Sequence, residues 1–143
     1  MRLLPLEYGW NLAMEDCRLQ LIEIDFRLSL LFVDGGATAR LHVETVCRLC
    51  CQGEEKTLDP NETSSLAPIL SLFNMNVLNI QIRKHGTLTV SFSNGDTLDV
   101  HSDNNYEAWQ ITSDLGLMFV CCPGGEVSFF RQEVAQGDCA KIG

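Results

Sequence analysis

Cysteine and histidine are the side chains of this sequence whose spacing is most diagnostic of chemistry. The chain carries Cys17, Cys47, Cys50, Cys51, Cys121, Cys122 and Cys139. A Cys47-x-x-Cys50-Cys51 cluster with a Cys121-Cys122 pair could supply thiolates to zinc, which takes four soft ligands in a tetrahedron. No second spaced pair accompanies the first, and neighbours on a strand point to opposite faces. The reading is therefore free thiols and no metal. A thioredoxin-like role needs a Cys-x-x-Cys opening a helix in a strand–helix–strand setting, and no such setting surrounds Cys47. The histidines are His42, His85 and His101. A nucleophilic site would need one of them beside a cysteine and an orienting third group. Neither a Gly-x-Ser-x-Gly nor a His-Glu-x-x-His sequence occurs. No catalytic residue and no cofactor is assigned. A small cysteine-dependent enzyme stands as an alternative class, one that a single fast-reacting thiol would reveal.

Carboxylates form the other concentration of chemistry. Asp96, Asp99, Asp103, Glu107 and Asp114 fall within a short stretch. A calcium loop needs oxygen ligands at regular intervals and a glycine at its turn, and none lies between Asp96 and Asp103. A solvated face or an acidic docking patch remains. Beside it, Tyr106 and Trp109 are an odd number of residues apart, so a regular strand sends them to opposite faces. One belongs in the core, and the other, Tyr106, is a candidate aromatic anchor of the kind interfaces favour. The whole chain has a net charge of −9, from 19 acids against 10 bases. The bases are scattered, which argues against nucleic acid as a direct partner. An acidic surface steers instead toward a basic protein, such as a nuclease.

The elements that must position these groups are mostly strands. In 19–36 and again in 77–95, apolar residues alternate and end at a turn, Asp34-Gly35-Gly36 or Asn94-Gly95. Leu28, Leu30 and Phe32 correspond to Leu88, Val90 and Phe92, and Ile22 and Ile24 to Ile80 and Ile82. Alternation at every second position defines one buried face, and Asp-Gly and Asn-Gly suit tight hairpins. The pattern predicts two three-stranded antiparallel meanders, 18–46 and 77–101, as one sheet or two packed sheets. The intervening 52–56 reads as a polar loop. A short helix is expected over 64–74, with Leu66, Ile69, Leu70 and Phe73 facing the sheet and Pro68 in its first turn. Further strands fall within 106–131, beginning at Tyr106, and 132–143 reads as a frayed tail. Tyr8 to Leu12 reads as a short edge segment. The length, 143 residues, fits one mainly β (α+β) domain.

An odd cysteine count with two adjacent pairs does not suit a secreted disulfide framework. Residues 1–17 lack a signal-peptide pattern. No apolar run reaches the ~18–20 residues of a membrane span. The expectation is a cytoplasmic protein without membrane contact.

Several segments together carry a resemblance: Ile24-Asp-Phe-Arg-Leu-Ser-Leu, Leu66-Ala-Pro-Ile-Leu, Gly86-Thr-Leu-Thr-Val-Ser-Phe-Ser-Asn-Gly, Tyr106-Glu-Ala-Trp109 and Pro123-Gly-Gly-Glu126. Through them the chain resembles a family of small bacterial proteins of unknown function, some of whose relatives resemble immunity proteins of polymorphic-toxin systems. The resemblance implies a protein that works by binding and neutralising a cognate toxin, and it supplies no catalytic residue. The expected docking residues are Asp96, Asp99, Asp103, Tyr106, Glu107 and Asp114. A homodimeric scaffold pairing through an edge strand is a further alternative.

Overall fold

Apolar residues at alternate positions fix the architecture. Leu28, Leu30 and Phe32, Leu41 and Val43, Leu88, Val90 and Phe92, and Leu98 and Val100 are all at most 1% exposed, while the residues between them are mostly half-exposed. The computed structural model describes residues 1–132. It contains β1 (Arg2–Leu6), β2 (Gly9–Ile24), β3 (Leu28–Val33), β4 (Thr38–Val43), β5 (Cys47–Cys51) and β6 (Glu54–Leu58). A 3₁₀ helix (Thr63–Leu72) follows, then β7 (Asn76–Arg83), β8 (Leu88–Phe92), β9 (Thr97–Val100), β10 (Trp109–Ser113), β11 (Leu117–Cys121) and β12 (Val127–Arg131).

The strands form one open 12-stranded sheet in the order β12-β11-β10-β4-β3-β2-β7-β8-β9-β5-β6, with β1 beside β2. Every described pairing is antiparallel. The sheet doubles over on itself, and β2 makes the corner. Its first half lies between β1 and β7, whereas its second half pairs with β3. Between the halves the register with β7 shifts, and Asp16 takes a φ of 67°. Strands that pass between packed layers bend at such irregularities. The two layers then share one core. Trp10 of β2 meets Phe119 and Phe129 of β11 and β12, with ring centroids 5.2 and 5.5 Å away. The buried Trp109 indole donates to the Gly86 carbonyl, 2.9 Å across the layers.

Folding at β2 gathers two sets of chain ends. The β3–β4, β5–β6, β8–β9 and β10–β11 turns share the end where β2 bends. The opposite end, called here the open end, collects the β2–β3, β7–β8 and β11–β12 turns with the connections 44–46 and 101–108. Backbone contact closes the layers there. Gly86 (φ +109°) and Gly125 (φ +112°) lie so near that a Cβ on Gly86 would stand 2.8 Å from the Gly125 oxygen, and one on Gly125 would stand 2.6 Å from the His85 oxygen. The Pro123-Gly124-Gly125 turn is thus a point of close approach that a side chain at Gly125 would obstruct.

Several expectations are corrected. The helix is 3₁₀, with Pro68 in its interior, where a proline ring opposes α-helical hydrogen bonding. A 3₁₀ helix repeats every three residues, so Leu66, Ile69 and Leu72 are buried while Leu70 and Phe73 face solvent. Residues 52–56 are a tight turn followed by edge strand β6 rather than a loop. β10 starts at Trp109 and leaves Tyr106 in a bend. From Gly9 onward the β2 segment is interior rather than an edge. Past a bulge between Leu19 and Leu21, Ile22 and Ile24 stand opposite the buried Leu30 and Leu28 and so on the inner face, yet toward the end of β2 Ile22 is only partly buried and Ile24 is exposed, unlike the fully buried Ile80 and Ile82. The expected tail lies, apart from Gln132, outside the described residues.

Candidate functional site

Phe26 occupies the tip of the β2–β3 hairpin. The turn is held locally: the Asp25 amide donates to the Arg27 carbonyl (3.1 Å) and the Arg27 amide to Asp25 Oδ1 (3.0 Å). With three residues between strands, the middle side chain has nothing to pack on, and Phe26 is 93% exposed. Tyr106 reaches the same open end from the connection after β9. Asp103 builds that connection, its Oδ1 accepting from the amides of Asn105 (2.8 Å) and Tyr106 (3.2 Å), and its Oδ2 from the Thr45 hydroxyl (3.2 Å). The Gly124 amide donates to the Asp103 carbonyl at 2.9 Å, tying the β11–β12 turn to it. Tyr106 is 64% exposed.

Phe26 and Tyr106 share a cleft of about 290 Å³ with Glu44 and Asn61. Glu44 is fixed by its backbone, whose amide donates to the Ala108 carbonyl at 2.8 Å. Glu44 and Glu107 are exposed and form no ion pair among the described residues. Two exposed rings bordered by carboxylates form a surface able to accept a partner by aromatic burial and charge pairing.

The expected docking residues separate in space. Asp103, Tyr106 and Glu107 lie together at the open end. Asp96 is 5% exposed in the β8–β9 turn, accepting from Asn94 Nδ2 (2.9 Å) and the Gln52 amide (3.3 Å). Asp114 sits in the β10–β11 turn and accepts from the Thr38 amide (2.9 Å). Asp99 lies mid-strand on the outer face of β9 and accepts from the Thr89 hydroxyl (2.6 Å). Proximity along the chain did not translate into a patch, because strand β9 and strand β10 each separate their two ends. Phe26, Glu44 and Asn61 come from three other connections and were missed; the aromatic at the centre of a tight turn was the one available signal.

Among the described residues no thiol or imidazole lines this cleft. Burial pushes the Cys47 thiol up to about 12, and Cys17 and Cys121 up to about 11, so these three are protonated near neutral pH and poor nucleophiles. Cys50 is exposed, and Cys51 and Cys122 are half-buried. No group of three metal-ligating side chains gathers among the described residues. His42 lies on the outer face of β4, its Nδ1 2.7 Å from the hydroxyl of the buried Ser29. Burial first, then Arg27 and Arg40, hold this imidazole below its usual range, against smaller opposing effects of Asp25 and Glu23. Arg40 pairs with Glu23 beside it.

Among the described residues no helix is long and apolar enough to cross a membrane. The model of a family of unknown function, DUF6188, matches residues 10–131. Neither a curated protein nor a solved structure matches the chain.

Proposed function

We propose that this chain, which belongs to the DUF6188 family of unknown function, works as an immunity-like protein that binds a basic protein toxin and neutralises it by covering its active face. One observation carries the reading: Phe26, 93% exposed, shares a cleft with Tyr106 and Glu44 at the open end of the sheet. Large exposed rings gain most from a partner that buries them. Glu44, Asp103 and Glu107 favour a positively charged partner, and the net charge of −9 supports the same steering over longer range. The scaffold reads as two copies of a three-stranded meander, joined through β2 and β7, that leave the connections free for recognition. A reducing, cytoplasmic setting fits the free thiols under this reading.

The test is inhibition. A toxin domain encoded by the adjacent gene is assayed with increasing amounts of the purified protein. Saturable inhibition that weakens steeply with added salt supports the proposal. Full toxin activity in the presence of an excess of protein refutes it.

A further inference from the structure

A second cleft, distinct from the aromatic one, lies between the β1–β2 turn and the end of β7. Its volume is about 420 Å³, in the range that holds small ligands. Leu6 and Tyr8 form one wall, and both turn apolar surface to water, at 42% and 70% exposure. Gln81, Arg83 and His85 form the other.

Arg83 makes this cleft chemically specific. It is half-buried, and its guanidinium meets neutral oxygens: Nη2 donates to Gln81 Oε1 at 2.8 Å and Nη1 to Thr89 Oγ1 at 3.3 Å. Two of the five N–H donors are used in this way. Among the described residues it pairs with no carboxylate, whereas Arg2, Arg27 and Arg40 each do. Lys84 is turned aside, its Nζ 5.9 Å from the Trp10 ring centroid. A positively charged fork with spare donors beside an apolar wall matches an anion with an apolar body. Two carboxylates limit how much negative charge fits. Glu7 stands at the cleft, and Asp99 is linked to Arg83 through the Thr89 hydroxyl. A single negative charge is therefore favoured over a phosphate dianion, and the planar fork matches a carboxylate with two parallel hydrogen bonds.

We propose that this cleft binds a small monocarboxylate with an aromatic or branched aliphatic body, the carboxylate on Arg83 and the body against Leu6 and Tyr8. The proposal stands apart from the protein-binding reading, because it uses a different cleft.

The experiment is an NMR titration of the ¹⁵N-labelled full chain with 3-phenylpropionate, run beside its uncharged amide. Saturable amide shifts confined to residues 6–8 and 81–87 are expected. The neutral amide should bind about tenfold or more weakly, and Arg83→Gln should weaken 3-phenylpropionate by a similar factor. Should Arg83→Gln fail to fold, the comparison between acid and amide on the unaltered protein decides alone. Equal affinity for acid and amide, shifts centred on another surface, or no saturation by about 10 mM would overturn the proposal.

Discussion

Adding one carbon at Gly86 should loosen the join between the two layers. A Cβ there would stand 2.8 Å from the Gly125 oxygen, 2.9 Å from the Gly125 Cα and 2.9 Å from the Ser102 Cβ. Backbone atoms cannot yield as a flexible side chain can, so the two turns must separate. The φ of +109° adds a left-handed penalty of roughly 1–2 kcal/mol for a non-glycine residue. Separation also lengthens the bond from the Trp109 indole to the Gly86 oxygen, now 2.9 Å, and a buried donor left unsatisfied costs about 1–3 kcal/mol. Gly86→Ala should therefore lose about 2–5 kcal/mol, a large share of the ~5–15 kcal/mol that holds a typical domain. Gly124→Ala is the control: its φ is +91° and nothing lies within 4 Å of the added carbon. Only the backbone penalty of about 1–2 kcal/mol applies. In thermal unfolding followed by circular dichroism, Gly86→Ala should melt about 10 °C below the parent and Gly124→Ala about 4 °C below. Melting of the two variants within about 1 °C of each other would refute the close-approach argument.

Three further outcomes follow from the same structure. Ile69→Ala should cost about 2–5 kcal/mol while Leu70→Ala stays within about 0.5 kcal/mol, because only Ile69 lies on the buried stripe of the 3₁₀ helix; urea midpoints measure both. The depressed His42 makes stability fall as pH drops below the ordinary imidazole value of 6.5: the unfolded chain takes up a proton there while the folded one does not, so protons favour unfolding. In His42→Gln, melting points measured from pH 7 down to about 5 should show a shallower decline. Peptide-resolved alkylation at neutral pH should modify Cys50 readily and Cys17, Cys47 and Cys121 only in denaturant, since these three are buried, with thiols raised to about 11–12. Rapid native labelling of any of the three would contradict that burial.

Period-two alternation made the strands legible, because a half-buried strand writes its inner face directly into the sequence, as at Leu28, Leu30 and Phe32. Alternation gives the face of a residue but not what covers it. Ile24 matches Ile82 in pattern and pairs with the buried Leu28, yet it is the last residue of β2 and stays exposed. The helix was legible in place but not in type: Leu66, Ile69 and Leu72 spell a period of three, whereas a reading at 3.6 keeps Leu66 and Ile69 but takes Leu70 and Phe73 in place of Leu72. The corner at Glu15 and Asp16 left no clear signal, since it depends on which partner strand each half of β2 finds. Without that corner the open end cannot be assembled from the sequence. That is why Tyr106, Glu107 and Asp103 can be grouped from their closeness in the chain, while Phe26, Glu44 and Asn61 cannot be placed beside them.

We propose the open end, with Phe26 and Tyr106 at its cleft, as the surface that meets a protein partner. Calorimetric titration of the adjacent-gene toxin domain with the parent and with a Phe26→Ser/Tyr106→Ser double variant tests it most directly. Both side chains are exposed, so the double variant should keep the parent's melting point. Interface aromatics at such positions contribute about 2 kcal/mol or more each, so affinity should fall about a hundredfold or more. A double variant that binds as tightly as the parent, or a parent that does not bind at all, would rule out the open end as that surface.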